Sequence, residues 1–103
     1  MKTYDKLVRD LIPQIIEASG KTCDIEIVND EVAFNYLISK LDEEVLEFKQ
    51  DLNLEELADV LEVLVGLAKK LGHTEEDLFN KRNEKKAARG GFEQNIVLRE
   101  VKS

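Results

Sequence analysis

The sequence predicts an all-α chain of four helices with a small two-stranded β ribbon. Apolar residues recur every three or four positions from about residue 34 to residue 71, the spacing of helices with one buried face. Asn, Thr and Gly punctuate that pattern where helices start and stop. Two further stretches, near 22–28 and 95–101, alternate apolar with polar side chains, the period of a strand. A length of 103 residues suits one domain, 1–103, with one modest core.

The first helix is expected from about Asp10, as N-cap, to Ser19. Pro13 falls in its first turn, where a missing N–H costs little, and Gly20 stops it. In Thr22–Val28, Cys23, Ile25 and Ile27 point to one side and Asp24 and Glu26 to the other, which is a strand pattern. Asn29 and Asp30 can cap a long second helix reaching about Leu52, with Phe34, Leu37, Ile38, Leu41, Val45, Phe48 and Leu52 at helical spacing. Asn53 breaks that run and caps a third helix, which repeats the pattern from Leu57 to Leu71 and ends at Gly72. Thr74 with Asp77 opens a fourth, running to about Ala88 before Gly90 and Gly91. Ile96–Val101 alternates again, and the two strand-like stretches are expected to pair and pack on the helices, because isolated strands are marginal.

Composition narrows the function. The formal charge is −7, with 22 acidic against 15 basic residues, and such a surface repels nucleic-acid backbones; no DNA or RNA polymer is expected as a partner. Cys23 is the lone cysteine, which points to a reducing compartment. The opening residues lack the apolar run of a signal peptide, and no stretch reaches the roughly 18 apolar residues of a membrane span. A soluble, cytoplasmic protein is expected.

The informative residues are acidic. Glu44 and Glu47 lie three apart, as do Glu56 and Asp59, so each pair shares a helical face. The pairs are also symmetric about the break near 51–52. If the two helices fold back on each other, Glu47 lands beside Glu56 and Glu44 beside Asp59. On the helical wheel Val60 lies about 40° and Leu67 about 20° from Glu56, so that glutamate points into the apolar arc. Asp59 sits at the edge of the same arc, and Glu44 borders the arc of the preceding helix. Anions gathered in a partly dry site require protons or cations, and oxygen donors without His or Cys suit Mg²⁺ or Mn²⁺. Two structural alternatives stand beside this one. Glu56 is the residue that would complete a capping box with Asn53, and Glu43, Glu44 and Glu47 can be solvated charges paired with Lys40 or Lys49.

These residues resemble a known family. EExxE at 43–47 followed by ExxD at 56–59 resembles the all-α nucleotide pyrophosphohydrolases, which include MazG-type enzymes, phosphoribosyl-ATP pyrophosphohydrolases and dimeric dUTPases. The opening Tyr4-Asp5-Lys6-Leu7-Val8-Arg9-Asp10 with Ile12-Pro13 resembles a MazG-like subgroup, and Asn83-Glu84-Lys85 with Arg89-Gly90-Gly91-Phe92 is similar to the family's Asn-x-Lys…Arg-Phe segment. The resemblance implies a MazG-like helical bundle with metal ligands at Glu44, Glu47, Glu56 and Asp59 and a supporting role for Glu43. It implies Mg²⁺-dependent release of pyrophosphate from a nucleoside triphosphate or related nucleotide to leave the monophosphate, as in nucleotide-pool housecleaning. Glu44 or Glu47 would serve as general base. The spacer is a departure: only eight residues, Phe48 to Glu55, separate Glu47 from Glu56, fewer than in many MazG-type relatives.

A triphosphate also needs cations. Lys85 and Arg89 share a face of the fourth helix, although cations near a helix C-terminus also complement its dipole. Asn83, Lys6 and Arg9 join them as substrate-binding candidates on the resemblance. His73 reads as a loop residue, Cys23 as packed, and Tyr4, Phe34, Tyr36 and Phe92 as core aromatics more than base-stacking ones. The broad apolar arcs of the second and third helices predict a homodimer or homotetramer. Two other functions fit the same residues: a phosphoribosyl-ATP pyrophosphohydrolase of histidine synthesis, and a non-catalytic helical interaction module.

Overall fold

The computed structural model describes residues 5–103. Four helices follow in order: α1 (Ile12–Ala18), α2 (Asp30–Gln50), α3 (Leu54–Lys70) and α4 (Glu75–Arg89). Their starts follow from capping chemistry. The Asn29 side chain accepts from the Val32 N–H, Asn53 from the Glu56 N–H, and Thr74 forms a reciprocal capping box with Asp77. α1 starts differently: Asp10 is too early, Leu11 holds the N-cap position without a side-chain bond, and Pro13 lies in the first turn. α3 stops where Gly72 takes φ +88°, so that the Gly72 and His73 N–H groups reach back to the Lys69 and Ala68 carbonyls.

α2 and α3 form an antiparallel hairpin that carries the core. Its tight turn closes at Asp51–Asn53, where the Asn53 N–H donates to the Asp51 carbonyl at 2.8 Å. Lys70 grips Asp30 at 2.8 Å at the open end. Between the ends, Ala33 and Leu37 of α2 are buried with Val63, Val65 and Ala68 of α3. Gly66 lets the helices approach here, since a Cβ on it would lie 3.3 Å from Leu37 Cδ2. α4 packs on α3 alone, and among the described residues α1 makes no close backbone approach to another helix. The helices thus form a hairpin with appendages and do not close into the expected four-helix bundle.

The β ribbon is overturned. No strand occurs among the described residues, and no backbone hydrogen bond joins 22–28 to 95–101. Alternation specifies two faces for an extended chain but supplies neither a ladder partner nor a surface to cover. Ile25 and Ile27 are exposed on the first stretch, and Ile96, Leu98 and Val101 on the second, so neither has a core to pack against.

Candidate metal and phosphate site

The apolar stripe that α2 lays against α3 changes character toward the hairpin turn. Ala33 and Leu37 are followed on the same face by Lys40 and then Glu44, so the carboxylate of Glu44 occupies a place that continues the core. Only 6% of Glu44 is exposed, and it is the one buried charged residue among those described. Lys40 Nζ lies 3.4 Å from its Oε1, whereas its Oε2 has no hydrogen-bond partner. A buried carboxylate oxygen left unpaired is costly and calls for a cation or a proton.

Glu44 is the pivot of two groups of acids. Oxygens of Glu43, Glu44 and Glu47 lie within 4.8 Å of one another, and so do oxygens of Glu44, Glu56 and Asp59. The hairpin therefore gathers acids from both helices, with Glu44 in contact range of Glu56 as well as Asp59. The Asn53 cap fixes the start of α3, and Glu56 and Asp59 follow on its first two turns. Glu56 does not complete a capping box: the Asn53 N–H is taken by Asp51, and Glu56 Oε2 is inaccessible and without a hydrogen-bond partner.

The crowding shows in proton affinity. The adjoining Glu44 carboxyl, then burial, Glu43 and Glu56, raise Glu47 above the ordinary glutamate range. Burial raises Glu56, reinforced by the charges of Asp59, Asp51, Glu44 and Glu55. Both carboxyls hold protons more tightly than free glutamates in the absence of a cation.

Among the described residues, three cations face this cluster. Lys6 Nζ donates to Glu43 Oε1 at 3.1 Å, Arg9 Nη2 donates to Asp59 Oδ1 at 2.7 Å, and Lys40 lies 3.9 Å from Glu43 as well as beside Glu44. Two of the expected substrate-binding residues, Lys6 and Arg9, thus stand at the acids. The others do not. Lys85 and Arg89 are exposed on α4 with no ion pair among the described residues, and Asn83 accepts a hydrogen bond from Arg82 at 2.9 Å. The helix that bears them packs on α3 and not on α2.

Lys40 was readable as a helix-surface partner of Glu43 or Glu44, three and four residues on. Its position inside the cluster, with 17% of the side chain exposed, comes from the stripe it shares with Leu37. The hydrogen bond from Tyr36 Oη to Asp5 Oδ1 at 3.2 Å had no sequence signal, since 31 residues separate the two. Tyr4, from the same opening motif, lies outside the described residues. His73 is an exposed residue 3.7 Å from Asp77, as a loop position suggests. Cys23 is half-buried without a strand, its thiol 4.0 Å from the Pro13 carbonyl, and Phe92 is 97% exposed and packs in no core.

No family model matches the chain, and no solved structure matches it. A curated protein of Mycolicibacterium smegmatis (strain ATCC 700084 / mc(2)155), described as an uncharacterized protein, is 48% identical over 44 residues. That match covers 43% of this chain and 45% of the relative, so the similarity spans less than half of either. No helix among the described residues is long and apolar enough to cross a membrane.

Proposed function

We propose that this chain is a divalent-cation-dependent nucleotide pyrophosphohydrolase of the cytoplasm, acting as a homo-oligomer. The observation that carries this reading is Glu44: a nine-tenths-buried carboxylate with an unpartnered oxygen, placed where two triplets of acids meet. A purely structural cluster gains nothing from burying that oxygen. Hard oxygen donors from Glu44, Glu47, Glu56 and Asp59, with no His or Cys nearby, fit Mg²⁺, with Mn²⁺ as a substitute. Bound Mg²⁺ supplies charge neutralisation for a triphosphate and a water of lowered pKa.

The remaining work falls to the side chains. Glu44, Glu47, Glu56 and Asp59 would hold the ion. Glu43 is held at the rim by Lys6 and Lys40. The attacking water gives its proton to Glu43 or Glu47, both half-exposed beside Glu44, and its oxygen bonds to the α-phosphorus. The bond from that phosphorus to the bridging oxygen breaks, and pyrophosphate leaves with the electron pair. Lys6 and Arg9, partly exposed at the acids, are placed to receive the phosphates.

The test is a panel of ordinary and modified nucleoside triphosphates with Mg²⁺, with products followed by phosphorus NMR. Equimolar monophosphate and pyrophosphate are expected from at least one member. Glu44→Gln and Asp59→Asn should each lower the rate by more than about 100-fold, since even residues that merely support metal ligands cost 10–100-fold. Orthophosphate as the primary product, or full activity in both variants, would refute the assignment.

A further inference from the structure

Two of the ion pairs at the acid cluster come from a segment that belongs to no helix. Residues 5–10 form no regular structure, yet three successive contacts lay this arm across the hairpin: Asp5 to Tyr36, Lys6 to Glu43 and Arg9 to Asp59. The last two partners are members of the two acid triplets. We propose that Lys6 and Arg9 are resident counter-ions of the metal-free site, and that a divalent cation displaces Arg9 from Asp59 and frees the arm for incoming phosphates. This rests on the pyrophosphohydrolase reading and adds to it a change of partner built into the chain.

Charge supports the exchange. Among the described residues, the five carboxylates Glu43, Glu44, Glu47, Glu56 and Asp59 face Lys6, Arg9 and Lys40, which leaves two formal negative charges when all are ionised. One divalent ion neutralises that remainder. Arg9 holds Asp59 Oδ1 at 2.7 Å, so a divalent ion that draws on the Asp59 carboxylate competes with the guanidinium for the same negative charge. The three cations differ in how easily they leave. Lys40 is anchored in α2 with 17% of its side chain exposed, whereas Lys6 and Arg9 are 44% and 53% exposed on an irregular segment. Half-exposed pairs of this kind are weak enough to exchange. Guanidinium also binds carboxylate and phosphate with the same planar fork, so Arg9 can pass from Asp59 to a phosphate oxygen without changing its chemistry.

Nitrogen-15 relaxation of the full chain, titrated with Mg²⁺ alone, tests this directly. Amides of residues 5–10 and the Arg9 side-chain N–H should be ordered without metal and gain motion as Mg²⁺ saturates, while those of α2 and α3 stay rigid. In parallel, calorimetry should show Arg9→Ala binding Mg²⁺ about fivefold more tightly than the parent, the effect of removing one competing exposed ion pair. Lys81→Ala, which removes an equal charge from α4, should leave affinity unchanged. An arm that stays ordered at saturation, or an Arg9→Ala affinity no tighter than that of Lys81→Ala, overturns the exchange even if pyrophosphate release is intact. Failure of the parent protein to bind Mg²⁺ at all overturns the exchange and the functional reading together.

Discussion

Replacing Glu44 by Gln should stabilise the metal-free protein and abolish its response to Mg²⁺. Two ionised carboxylates at the outer separation within this cluster, 4.8 Å, repel by about 3.5 kcal/mol at an effective dielectric constant of about 20. Glu44 has four acidic neighbours; Lys6 compensates Glu43, Arg9 compensates Asp59, and Lys40 offsets part of the charge on Glu44 itself. The surplus comes from Glu47 and Glu56, whose proton affinity the crowding raises. Removing the Glu44 charge is then worth about 1–2 kcal/mol, or about 5–10 °C in Tm for a chain of this size. The amide keeps the shape of the carboxyl and can donate to the adjoining oxygens. The parent should gain about 2.7 kcal/mol at a Mg²⁺ concentration 100 times its Kd, and the variant close to nothing. Differential scanning calorimetry with EDTA and with Mg²⁺ should therefore show the order of the two melting temperatures reverse. A variant that melts below the parent in EDTA, or that keeps the Mg²⁺ shift, would refute the charge-crowded metal site.

Metal-free stability should also depend on pH with a definite sign. Glu47 and Glu56 have raised proton affinity in the fold, so their contribution is fully present below the unfolded value, about 4.3, and is lost as pH climbs through their higher folded values. Asp30, lowered by Lys70, and Asp77, lowered chiefly by the Thr74 N–H, act oppositely and lose their contribution as pH falls through their folded values. Urea midpoints in EDTA should accordingly fall as pH rises through the folded values of Glu47 and Glu56, and saturating Mg²⁺ should flatten that fall. Asn53→Ala should cost about 1 kcal/mol and weaken Mg²⁺ binding, because the cap starts the helix that bears Glu56 and Asp59; Asn29→Ala should cost a similar amount and leave Mg²⁺ affinity intact by calorimetry. Leu37→Ala should destabilise by about 2–4 kcal/mol, and Gly66→Ala should be less harmful on that background than alone, since its new methyl meets Leu37 at 3.3 Å. Additive costs in a double-mutant cycle would contradict that contact.

The helices were legible because their ends are written locally. Asn29, Asn53 and Thr74 each accept from a backbone N–H three residues on, a relation that needs nothing from the rest of the chain. The ribbon was misread for the converse reason: a strand is completed by a distant partner, and alternation names none. The acidic cluster lies between these cases. Spacing and symmetry pointed to a meeting of Glu44, Glu47, Glu56 and Asp59, and the wheel gave Glu56 the most apolar surroundings. The fold instead buries Glu44 most deeply, because depth depends on which face of α2 meets α3, and that is set by Ala33, Leu37 and Gly66. Glu44 meets Asp59, as the symmetry predicts, and reaches Glu56 as well, while the charge of Glu56 still acts on Glu47. Ion pairs from the arm, 37 and 50 residues away from their partners, were beyond any spacing rule.

The elongated shape of the chain and an uncovered apolar stripe support the proposed association of copies. Its radius of gyration is 18.0 Å over extents of 63 × 32 × 22 Å, against about 13 Å for a compact domain of this length. Leu54, Leu57, Leu61 and Leu64 mark a stripe at helical spacing along α3, and all four are exposed even with α4 packed on the same helix. An uncovered stripe of this kind is typical of association surfaces. Sedimentation velocity at micromolar concentration should give a dimer or tetramer, and Leu61→Lys should shift it to monomer with a lower Tm. The acids project from the α2–α3 hairpin, so the variant should retain some Mg²⁺ affinity if the site is complete within one copy, and lose it if a second copy closes the site. A native chain that sediments as a monomer while melting cooperatively, with Leu61→Lys indistinguishable from it, would show that the hairpin core alone sustains the fold.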